Sequence, residues 1–220
     1  MPRPAALLFD LDGTVVDSAP DLAGAANEMR AHRGLAPVPF AQLRPMGGSG
    51  ARGMLAVAFE VRPGDAGYED LKAEFLERYQ ARLLRETVVF EAMIPVLQAL
   101  AARAIPWGIV TNKSSHLARA LVEGLPLPYA PQALVGGDTT PHTKPHPAPL
   151  LEGARQLGVA APSCVYVGDD PRDMHAGRAA GMATVAAAWG YLGTAEPLHQ
   201  WPADHVALEP SFLLNWLDLA

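Results

Sequence analysis

The chain has 220 residues, of which 50% are hydrophobic and 18% are charged, and this composition is typical of a folded globular protein and excludes wholesale disorder. The formal net charge is −6 and the lysines and arginines are scattered, which excludes the basic footprint of a nucleic-acid-binding protein. The single cysteine, Cys164, excludes an internal disulfide, and no window reaches the roughly 20 apolar residues that span a membrane, so we expect a cytoplasmic protein without a nucleic-acid or membrane partner.

The first predicted element is a short buried strand that ends at Phe9 and is followed by two carboxylates, Asp10 and Asp12. They leave the carboxyl end of the strand, where open α/β sheets hold their ligands. Residues two apart in an extended chain face the same side, so the two carboxylates repel unless a cation or a shared proton offsets their charge. The pattern predicts a metal site, with Mg²⁺ as the expected ion because it prefers oxygen ligands. The alternative is an Asp-Gly turn.

After the two carboxylates the chain is predicted to be all helical. Ser18 and Asp21 resemble a capping box, and apolar residues follow at helical spacing. A proline-rich loop is expected over 36–45, then helices over 51–60 and 68–84. The apolar stripe of the last helix is interpreted as packing surface and not as a binding face. Its members are Leu71, Phe75, Leu76, Tyr79 and Leu83.

From Val88 onward, predicted strands alternate with predicted helices. The strands are expected over 105–110, 133–136, 164–168, 183–188 and 205–208. The helices are expected over 94–103, 117–123, 149–158, 174–180 and 212–219. Because strands separated by helices form a parallel sheet that is covered on both faces, and the strand before Asp10 belongs to that sheet, the helical segment is an insertion. We therefore predict an α/β core domain of residues 1–15 and 88–220 and a helical domain of residues 16–87.

Three later groups of residues could carry chemistry. Thr111 and Asn112 end a predicted strand and could donate hydrogen bonds to phosphate oxygens, although the pair alone is typical of a turn. Lys144 lies in a proline-rich loop and is a compact cation suited to a phosphoryl group and an aspartate at once. Asp169 follows another apolar strand and would be a metal ligand. Asp173 would orient a metal-bound water or Lys144 from the outer sphere.

The segment Gly48-Ser49-Gly50-Ala51-Arg52-Gly53 matches the dinucleotide pattern G-x-G-x-x-G literally. That site needs a strand before the glycines, and here prolines precede them. We interpret the segment as the glycine-rich start of a helix whose free N–H groups face the active site. Ser49 and Arg52 are then candidates for substrate binding. Arg52 could bind a substrate carboxylate or sugar, and the alternative is a solvent-facing arginine.

Four motifs of the chain, taken in order, resemble those of the haloacid dehalogenase-like (HAD) phosphatases. They lie at predicted strand ends or in the loops that follow, and the resemblance covers nearly the whole chain. The motifs are Phe9-Asp10-Leu11-Asp12-Gly13-Thr14-Val15-Val16-Asp17-Ser18, Val110-Thr111-Asn112-Lys113, Thr143-Lys144-Pro145-His146-Pro147 and Val165-Tyr166-Val167-Gly168-Asp169-Asp170-Pro171-Arg172-Asp173. The resemblance implies a Rossmann-like parallel sheet core with a small all-helical cap domain inserted after the first strand. The cap junctions near Val16 and Val88 are expected to act as a hinge, in a monomer or a homodimer.

The resemblance also implies roles for individual residues. Asp10 is the nucleophile and forms an aspartyl-phosphate, while Asp12 protonates the leaving alcohol and then takes a proton from water. Mg²⁺ would be held by the Asp10 carboxylate, the Asp12 carbonyl oxygen and the Asp169 carboxylate. The remaining groups expected to contact the phosphoryl oxygens are Gly13, Thr111, Asn112 and Lys144.

Asp12 favours phosphoryl transfer, because a dehalogenase needs no acid for a halide leaving group and its pattern lacks this second aspartate. Two other functions remain possible. A sugar-phosphate mutase similar to β-phosphoglucomutase shares the core motifs and differs in the cap. A phospho-acceptor signalling module also uses Asp, Thr and Lys around Mg²⁺, but it is a small single domain without a helical insertion and leaves Asp12 unexplained.

The expected substrate is a small carboxylate-bearing phosphate ester, because the chain resembles two groups of the family that bind one. Resemblance to the phosphoglycolate phosphatases rests on Asp17-Ser18-Ala19-Pro20-Asp21, Gly136-Gly137-Asp138, Lys144-Pro145-His146-Pro147 and Trp189-Gly190-Tyr191. Resemblance to the N-acetylmuramic acid 6-phosphate phosphatases of cell-wall recycling rests on Gly47-Gly48-Ser49-Gly50-Ala51-Arg52, Glu74-Phe75-Leu76-Glu77-Arg78-Tyr79-Gln80 and Gly168-Asp169-Asp170-Pro171-Arg172-Asp173. Arg52 is the residue expected to bind the carboxylate.

Overall fold

A parallel sheet forms the centre of the computed structural model, which describes residues 3–193 and 196–218 and all of their side chains except those of 216–218. The strands are β1 (Ala6–Phe9), β2 (Val16–Asp17), β3 (Val88–Val89), β4 (Trp107–Val110), β5 (Ala133–Val135), β6 (Cys164–Gly168), β7 (Ala183–Ala187) and β8 (His205–Ala207). Six of them form the sheet in the order β5-β4-β1-β6-β7-β8, with every neighbouring pair parallel. This confirms the predicted Rossmann-like α/β core.

Helices cover the sheet and build the inserted segment. They are α1 (Ala19–His32), α2 (Phe40–Leu43), α3 (Gly50–Phe59), α4 (Tyr68–Arg82), α5 (Ile94–Ala102), α6 (Ser115–Gly124), α7 (Ala148–Gln156), α8 (Pro171–Ala179) and α9 (Phe212–Asp218). Short 3₁₀ turns cover Arg44–Ser49, Glu91–Met93, Ala161–Ser163 and Leu198–Gln200. In the described part of the chain, none of the helices has the length and apolar character needed to cross a bilayer.

Strand β1 is buried on both faces, as a central parallel strand requires. Leu7 and Phe9 pack into one apolar cluster, where Phe9 meets the Trp107 ring edge-on at 5.8 Å, and Leu8 packs on the other side with Leu150 of α7. Each fully buried leucine or phenylalanine contributes about 1.5–3 kcal/mol. The strand that carries Asp10 is therefore anchored on both sides.

The chain starts in the middle of the sheet, moves outward through β4 and β5, and returns to β6 on the other side of β1. The carboxyl ends of β1, β4 and β6 therefore lie next to each other at a topological switch point, where α/β sheets bind ligands.

The all-helical insertion lies between β2 and β3, which form an antiparallel ribbon of two pairs, Val16 with Val89 and Asp17 with Val88. Both junctions of the insertion meet in this ribbon. We therefore propose that the cap domain spans 16–87 and that the core domain comprises 1–15 and 88–220.

A buried charge cluster ties the beginning of the insertion to its end. Asp21 in α1 is fully buried and accepts hydrogen bonds from Nε of Arg82 and from the N–H and hydroxyl of Thr87. The Arg82 guanidinium also pairs with Glu28 and Glu86, each at 2.7 Å. These bonds join α1, α4 and the segment that leads back to the core.

The predicted capping box of Ser18 and Asp21 is wrong, because both side chains have other partners. Ser18 makes no side-chain cap bond, and its hydroxyl donates to Asp12 across the domain junction. A capping box does occur at the start of α8, where Asp170 and Asp173 hold each other's backbone N–H groups. The loop predicted over 36–45 contains the short helix α2.

Candidate active site

Three site residues follow directly from neighbouring strands. Asp10 follows β1, Thr111 follows β4 and Asp169 follows β6, and their side chains are all buried. The sheet ladder continues through their backbones, since the N–H of Asp10 donates to Val167 and that of Thr111 to Val135, each at 2.9 Å. The sheet therefore fixes the positions of these side chains.

A cluster of buried carboxylates lies at this edge. One oxygen from each of Asp10, Asp169 and Asp173 lies within 4.8 Å of the others. Among the described residues, Asp169 has no lysine or arginine partner and only accepts hydrogen bonds, from the Thr14 hydroxyl at 3.2 Å and from the Tyr191 N–H at 2.7 Å. Burial raises the pKa of Asp169 well above its usual range, and the neighbouring Asp10 and Asp173 raise it further.

The cluster fits a hard divalent cation. Oδ1 of Asp10 is buried and, within the described chain, accepts no hydrogen bond of good geometry, although Nζ of Lys144 lies 2.8 Å away. Oxygen-only donors with excess negative charge suit Mg²⁺ or Ca²⁺ better than softer metals. The structure thus contains a cluster of aspartates that could bind a metal ion, and two of its three members, Asp10 and Asp169, are predicted metal ligands.

Lys144 lies at the centre of these carboxylates. Its Nζ is 2.8 Å from Asp10 and 2.7 Å from Asp173, and it donates to the Val110 carbonyl and the Tyr166 hydroxyl at 2.9 Å each. Burial lowers the pKa of Lys144, but the charges of Asp10 and Asp173 outweigh burial and leave the pKa raised. The lysine is therefore held as a fixed cation beside Asp10.

Two residues that are predicted to contact phosphate, Asn112 and Gly13, form hydrogen bonds within the protein. The side-chain amide of Asn112 donates to the Lys144 carbonyl at 3.0 Å and accepts from the Lys144 N–H at 2.9 Å, so it fixes the lysine loop. The N–H of Gly13 donates to the Val16 carbonyl at 2.8 Å, so it is used within the turn, and the contact of Gly13 with phosphate stays a prediction. Gly13 has φ +88°, and a Cβ there would lie 2.2 Å from Oδ2 of Asp169. It is needed for backbone conformation and close approach.

The sequence analysis assigned no role to Lys113, although it belongs to the second motif. Its buried Nζ lies 3.0 Å from Oδ1 of Asp12 and donates to the Tyr79 hydroxyl at 2.9 Å. Burial lowers the pKa of Lys113, but Asp12 and Tyr79 outweigh this and raise it overall. The position of Lys113 next to Asn112 at a strand end could have indicated a role in the site. Its contact with Tyr79 in α4 could not be predicted from the sequence.

A cavity of about 330 Å³ lies between this edge and the insertion. Its core side includes Asp10, Asp12, Thr111 and Lys144, and its other side includes the 47–52 segment. Phe75, Leu76 and Tyr79 also line it. The interpretation of their stripe as packing surface alone is therefore wrong, because α4 presents part of it to the cavity.

Ser49 and Arg52 both line the cavity, beside the first turn of α3. Arg52 is exposed and has no carboxylate partner among the described residues, whereas Lys113 and Lys144 are already paired with aspartates. Arg52 therefore lies at the cavity as a cation free to bind an anion.

The insertion also contacts the core beside the cavity. The Arg172 guanidinium donates to the Gly48 carbonyl at 2.7 Å and pairs with Asp170. The Tyr191 hydroxyl accepts from the N–H groups of Ser18 and Ala19 at the start of α1. These bonds hold the insertion over the carboxylate cluster.

The chain is similar to known proteins along nearly its whole length. The family model described as "Haloacid dehalogenase-like hydrolase" matches residues 7–187. A phosphoglycolate phosphatase from Xanthomonas campestris pv. campestris (strain 8004) is 49% identical over 94% of this chain and 93% of its own length. An N-acetylmuramic acid 6-phosphate phosphatase from Pseudomonas putida is 37% identical over 99% of this chain and 98% of its own.

The fold is also similar to the crystal structure of a protein described as a predicted phosphoglycolate phosphatase, from Haemophilus somnus 129pt. The TM-score is 0.83 at 25% sequence identity, covering 98% of both chains. The family match and the names of the curated relatives confirm the expected enzyme class, a phosphatase. The chain belongs to the haloacid dehalogenase-like hydrolase family.

Proposed function

We propose that this protein is a Mg²⁺-dependent phosphomonoester hydrolase similar to phosphoglycolate phosphatase, which acts on a small carboxylate-bearing ester through an aspartyl-phosphate. The observation that carries the proposal is the arrangement at the end of β1. Asp10 and Asp12 both face the cavity there, Lys144 lies against Asp10, and Asp169 and Asp173 complete a buried carboxylate cluster.

In the first step Asp10 is the nucleophile. A carboxylate oxygen of Asp10 attacks phosphorus, the bond from phosphorus to the ester oxygen breaks, and Asp12 gives its proton to the departing alcohol. Asp12 is suited to this because its carboxyl group is buried and held by the Ser18 hydroxyl while it faces the cavity.

In the second step Asp12 acts as the base. It takes a proton from a water molecule, the water oxygen attacks phosphorus, and the bond between phosphorus and Asp10 breaks, which releases phosphate and restores both carboxyl groups. The proton donated in the first step is thereby recovered.

Charge stabilisation is assigned to the side chains around Asp10. Lys144 and the Thr111 hydroxyl lie at the cavity edge and supply donors to the phosphoryl oxygens, with Asn112 fixing the lysine loop. The Asp10 and Asp169 carboxylates and the Asp12 carbonyl would hold Mg²⁺, and Asp173 would orient Lys144. When bound, the ion offsets the negative charges of nucleophile and phosphate.

Arg52 is proposed to bind the substrate carboxylate, with Ser49 beside it. A charge-assisted hydrogen bond to such a carboxylate contributes about 1.5–3 kcal/mol. The cavity of about 330 Å³ is at the lower end of the range for ligand sites, roughly 300–1,000 Å³. 2-Phosphoglycolate is the proposed substrate, and N-acetylmuramic acid 6-phosphate is the second candidate because a relative of that name matches nearly the whole chain.

The test is Mg²⁺-dependent release of phosphate from these two esters and a panel of sugar phosphates. We expect kcat/KM to favour one carboxylate-bearing ester at least tenfold, about 1.4 kcal/mol. Asp10→Asn should lose nearly all turnover, whereas Asp70→Asn, at an exposed position on α4, should keep it. Substantial turnover by Asp10→Asn would overturn the assignment of the nucleophile.

The same assay separates Arg52 from the catalytic residues. Arg52→Met should lower kcat/KM for the carboxylate-bearing ester about 10- to 100-fold. It should leave kcat/KM nearly unchanged for a phosphate ester whose alcohol part carries no carboxylate. Equal losses on both esters would contradict carboxylate recognition. An isomerised sugar phosphate would favour the mutase, and a stable phosphorylated enzyme without turnover would favour the phospho-acceptor module.

The cytoplasmic location and the monomer or homodimer state also remain proposals. Cell fractionation would test the location, and light scattering on the purified protein would test the assembly state.

A further inference from the structure

Lys113 is a buried cation that links the proposed acid to the helical insertion. It follows Asn112 in the loop after β4, and its side chain is 8% exposed. Its Nζ lies 3.0 Å from Oδ1 of Asp12 in the core and donates to the hydroxyl of Tyr79 in α4 at 2.9 Å. Nζ also lies 4.6 Å from the centre of the Tyr79 ring. One side chain thus contacts both domains at the cavity.

The contacts of Asp12 are unequal between its two oxygens. The Ser18 hydroxyl and Nζ of Lys113 both contact Oδ1. Within the described chain, no residue forms a hydrogen bond to Oδ2, although Asp12 lines the cavity. Two donors on Oδ1, one of them a cation, make Oδ1 a poor place for a proton. The proton of the neutral acid therefore belongs on Oδ2.

We propose that Lys113 is a positioning residue that holds Oδ1 of Asp12, so that Oδ2 carries the transferable proton toward the leaving group. This rests on the proposed function of Asp12 as the acid. Lys113 keeps its own protons throughout, so the transfer between Asp12 and the ester oxygen remains balanced. Tyr79 completes the arrangement, because its hydroxyl is available to Lys113 only while α4 lies over the core.

The insertion thereby gains a part in the chemistry as well as in substrate selection. If α4 moved away, Lys113 would lose a hydrogen bond and the ring beside it, and its hold on Asp12 would weaken. Asp12 is best placed to donate its proton when α4 covers the cavity. Proton transfer from Asp12 is therefore less effective when the cavity is open to water.

The readout that tests this is the dependence on the leaving group. An alkyl phosphate has a basic leaving oxygen that needs a proton, whereas 4-nitrophenyl phosphate has a good leaving group that needs little help. General acid catalysis is worth roughly 10²–10⁴-fold. We expect Lys113→Met to lower kcat/KM about 100-fold on the alkyl ester and less than fivefold on the aryl ester. KM should change little.

Two further variants keep the test decisive. Lys113→Arg keeps the cation and should restore most of the activity on the alkyl ester. Tyr79→Phe keeps the ring and removes the hydroxyl, and should give a smaller loss with the same leaving-group dependence. Arg155→Met, which removes an exposed cation on α7, is the control and should match the parent chain on both esters.

Equal losses on the two esters in folded Lys113→Met and Tyr79→Phe, or a loss confined to KM, would overturn the proposal. Folding is checked by circular dichroism and thermal denaturation. Failure of the proposed function looks different, because the unmodified chain would then hydrolyse neither ester.

Discussion

Replacing Asp169 with asparagine should stabilise the metal-free protein while removing its activity. Asp169 is 2% exposed and close to Asp10 and Asp173, and burial and these carboxylates raise its pKa well above the ordinary value. Its charged form is therefore unfavourable in the folded state without a cation. The amide has the same shape, can accept from the Tyr191 N–H, and can donate to the Thr14 hydroxyl.

The direction follows from the linkage between pKa and stability. Asp169→Asn should raise the free energy of unfolding of the metal-free protein, and for a chain of this size each 1 kcal/mol gained raises Tm by roughly 2–4 °C. Because the folded pKa lies above the unfolded one, the metal-free parent loses stability as pH rises from the unfolded value through the folded value. Asp169→Asn has no carboxyl group to ionise at this position. The difference in free energy of unfolding between the variant and the parent should therefore grow with pH.

Thermal denaturation in EDTA and in Mg²⁺, across a pH series, measures this effect. Mg²⁺ at a hundredfold excess over its Kd should stabilise the parent by about 2.7 kcal/mol, whereas the Tm of the variant, which lacks one of the proposed metal ligands, should rise less. Asp70→Asn, at an exposed position, is the control and should change stability by less than about 0.5 kcal/mol. The reasoning is refuted if Asp169→Asn in EDTA melts below the parent at neutral and alkaline pH.

Three further outcomes are expected. Arg82→Met should lower the free energy of unfolding in urea by about 3–5 kcal/mol, because it leaves Asp21 as a buried charge without its ion-pair partner. Glu86→Gln removes a half-exposed partner of Arg82 and should lower it by less than about 1 kcal/mol. Equal losses in the two variants would contradict the importance of burial. Gly13→Ala should destabilise by about 1–3 kcal/mol and lower phosphate release, because of its positive φ and the contact of a new Cβ with the carboxylate cluster. The Cys164 thiol, whose pKa burial raises to about 11, should react with iodoacetamide only after denaturation, and rapid labelling of the folded chain would count against its burial.

Much of the fold was predictable because its signals are local. Apolar runs that end in carboxylates located β1 and β6, and the alternation of strands and helices predicted a parallel sheet. The short helix α2 was missed because prolines on both sides of it are typical of a loop. The predicted capping box of Ser18 and Asp21 does not form, because the Ser18 side chain contacts Asp12 of the core and the Asp21 side chain contacts the distant Arg82.

The site was predictable to the extent that strand ends determine it. Asp10, Thr111 and Asp169 lie together because their strands are neighbours. The partners of Asn112 and Lys113 depend on how a loop and α4 approach this edge, and no local pattern encodes those distances. Tertiary packing likewise decided that part of the α4 stripe lines a cavity, since a helix stripe has the same spacing whichever surface it meets.

The paired junctions of the insertion have a consequence for how substrate preference can change. Val16 and Val89 are neighbours in the ribbon, so the segment between them begins and ends at one place, and replacing it would alter loop closure only slightly. The groups proposed to act on phosphorus all lie outside that segment. The insertion could therefore be replaced by another while the groups that carry out the reaction stay the same. A transplanted insertion would, however, have to supply the hydroxyl that Tyr79 presents to Lys113 and the hydroxyl that Ser18 presents to Asp12, and these contacts would limit which insertions function on this core.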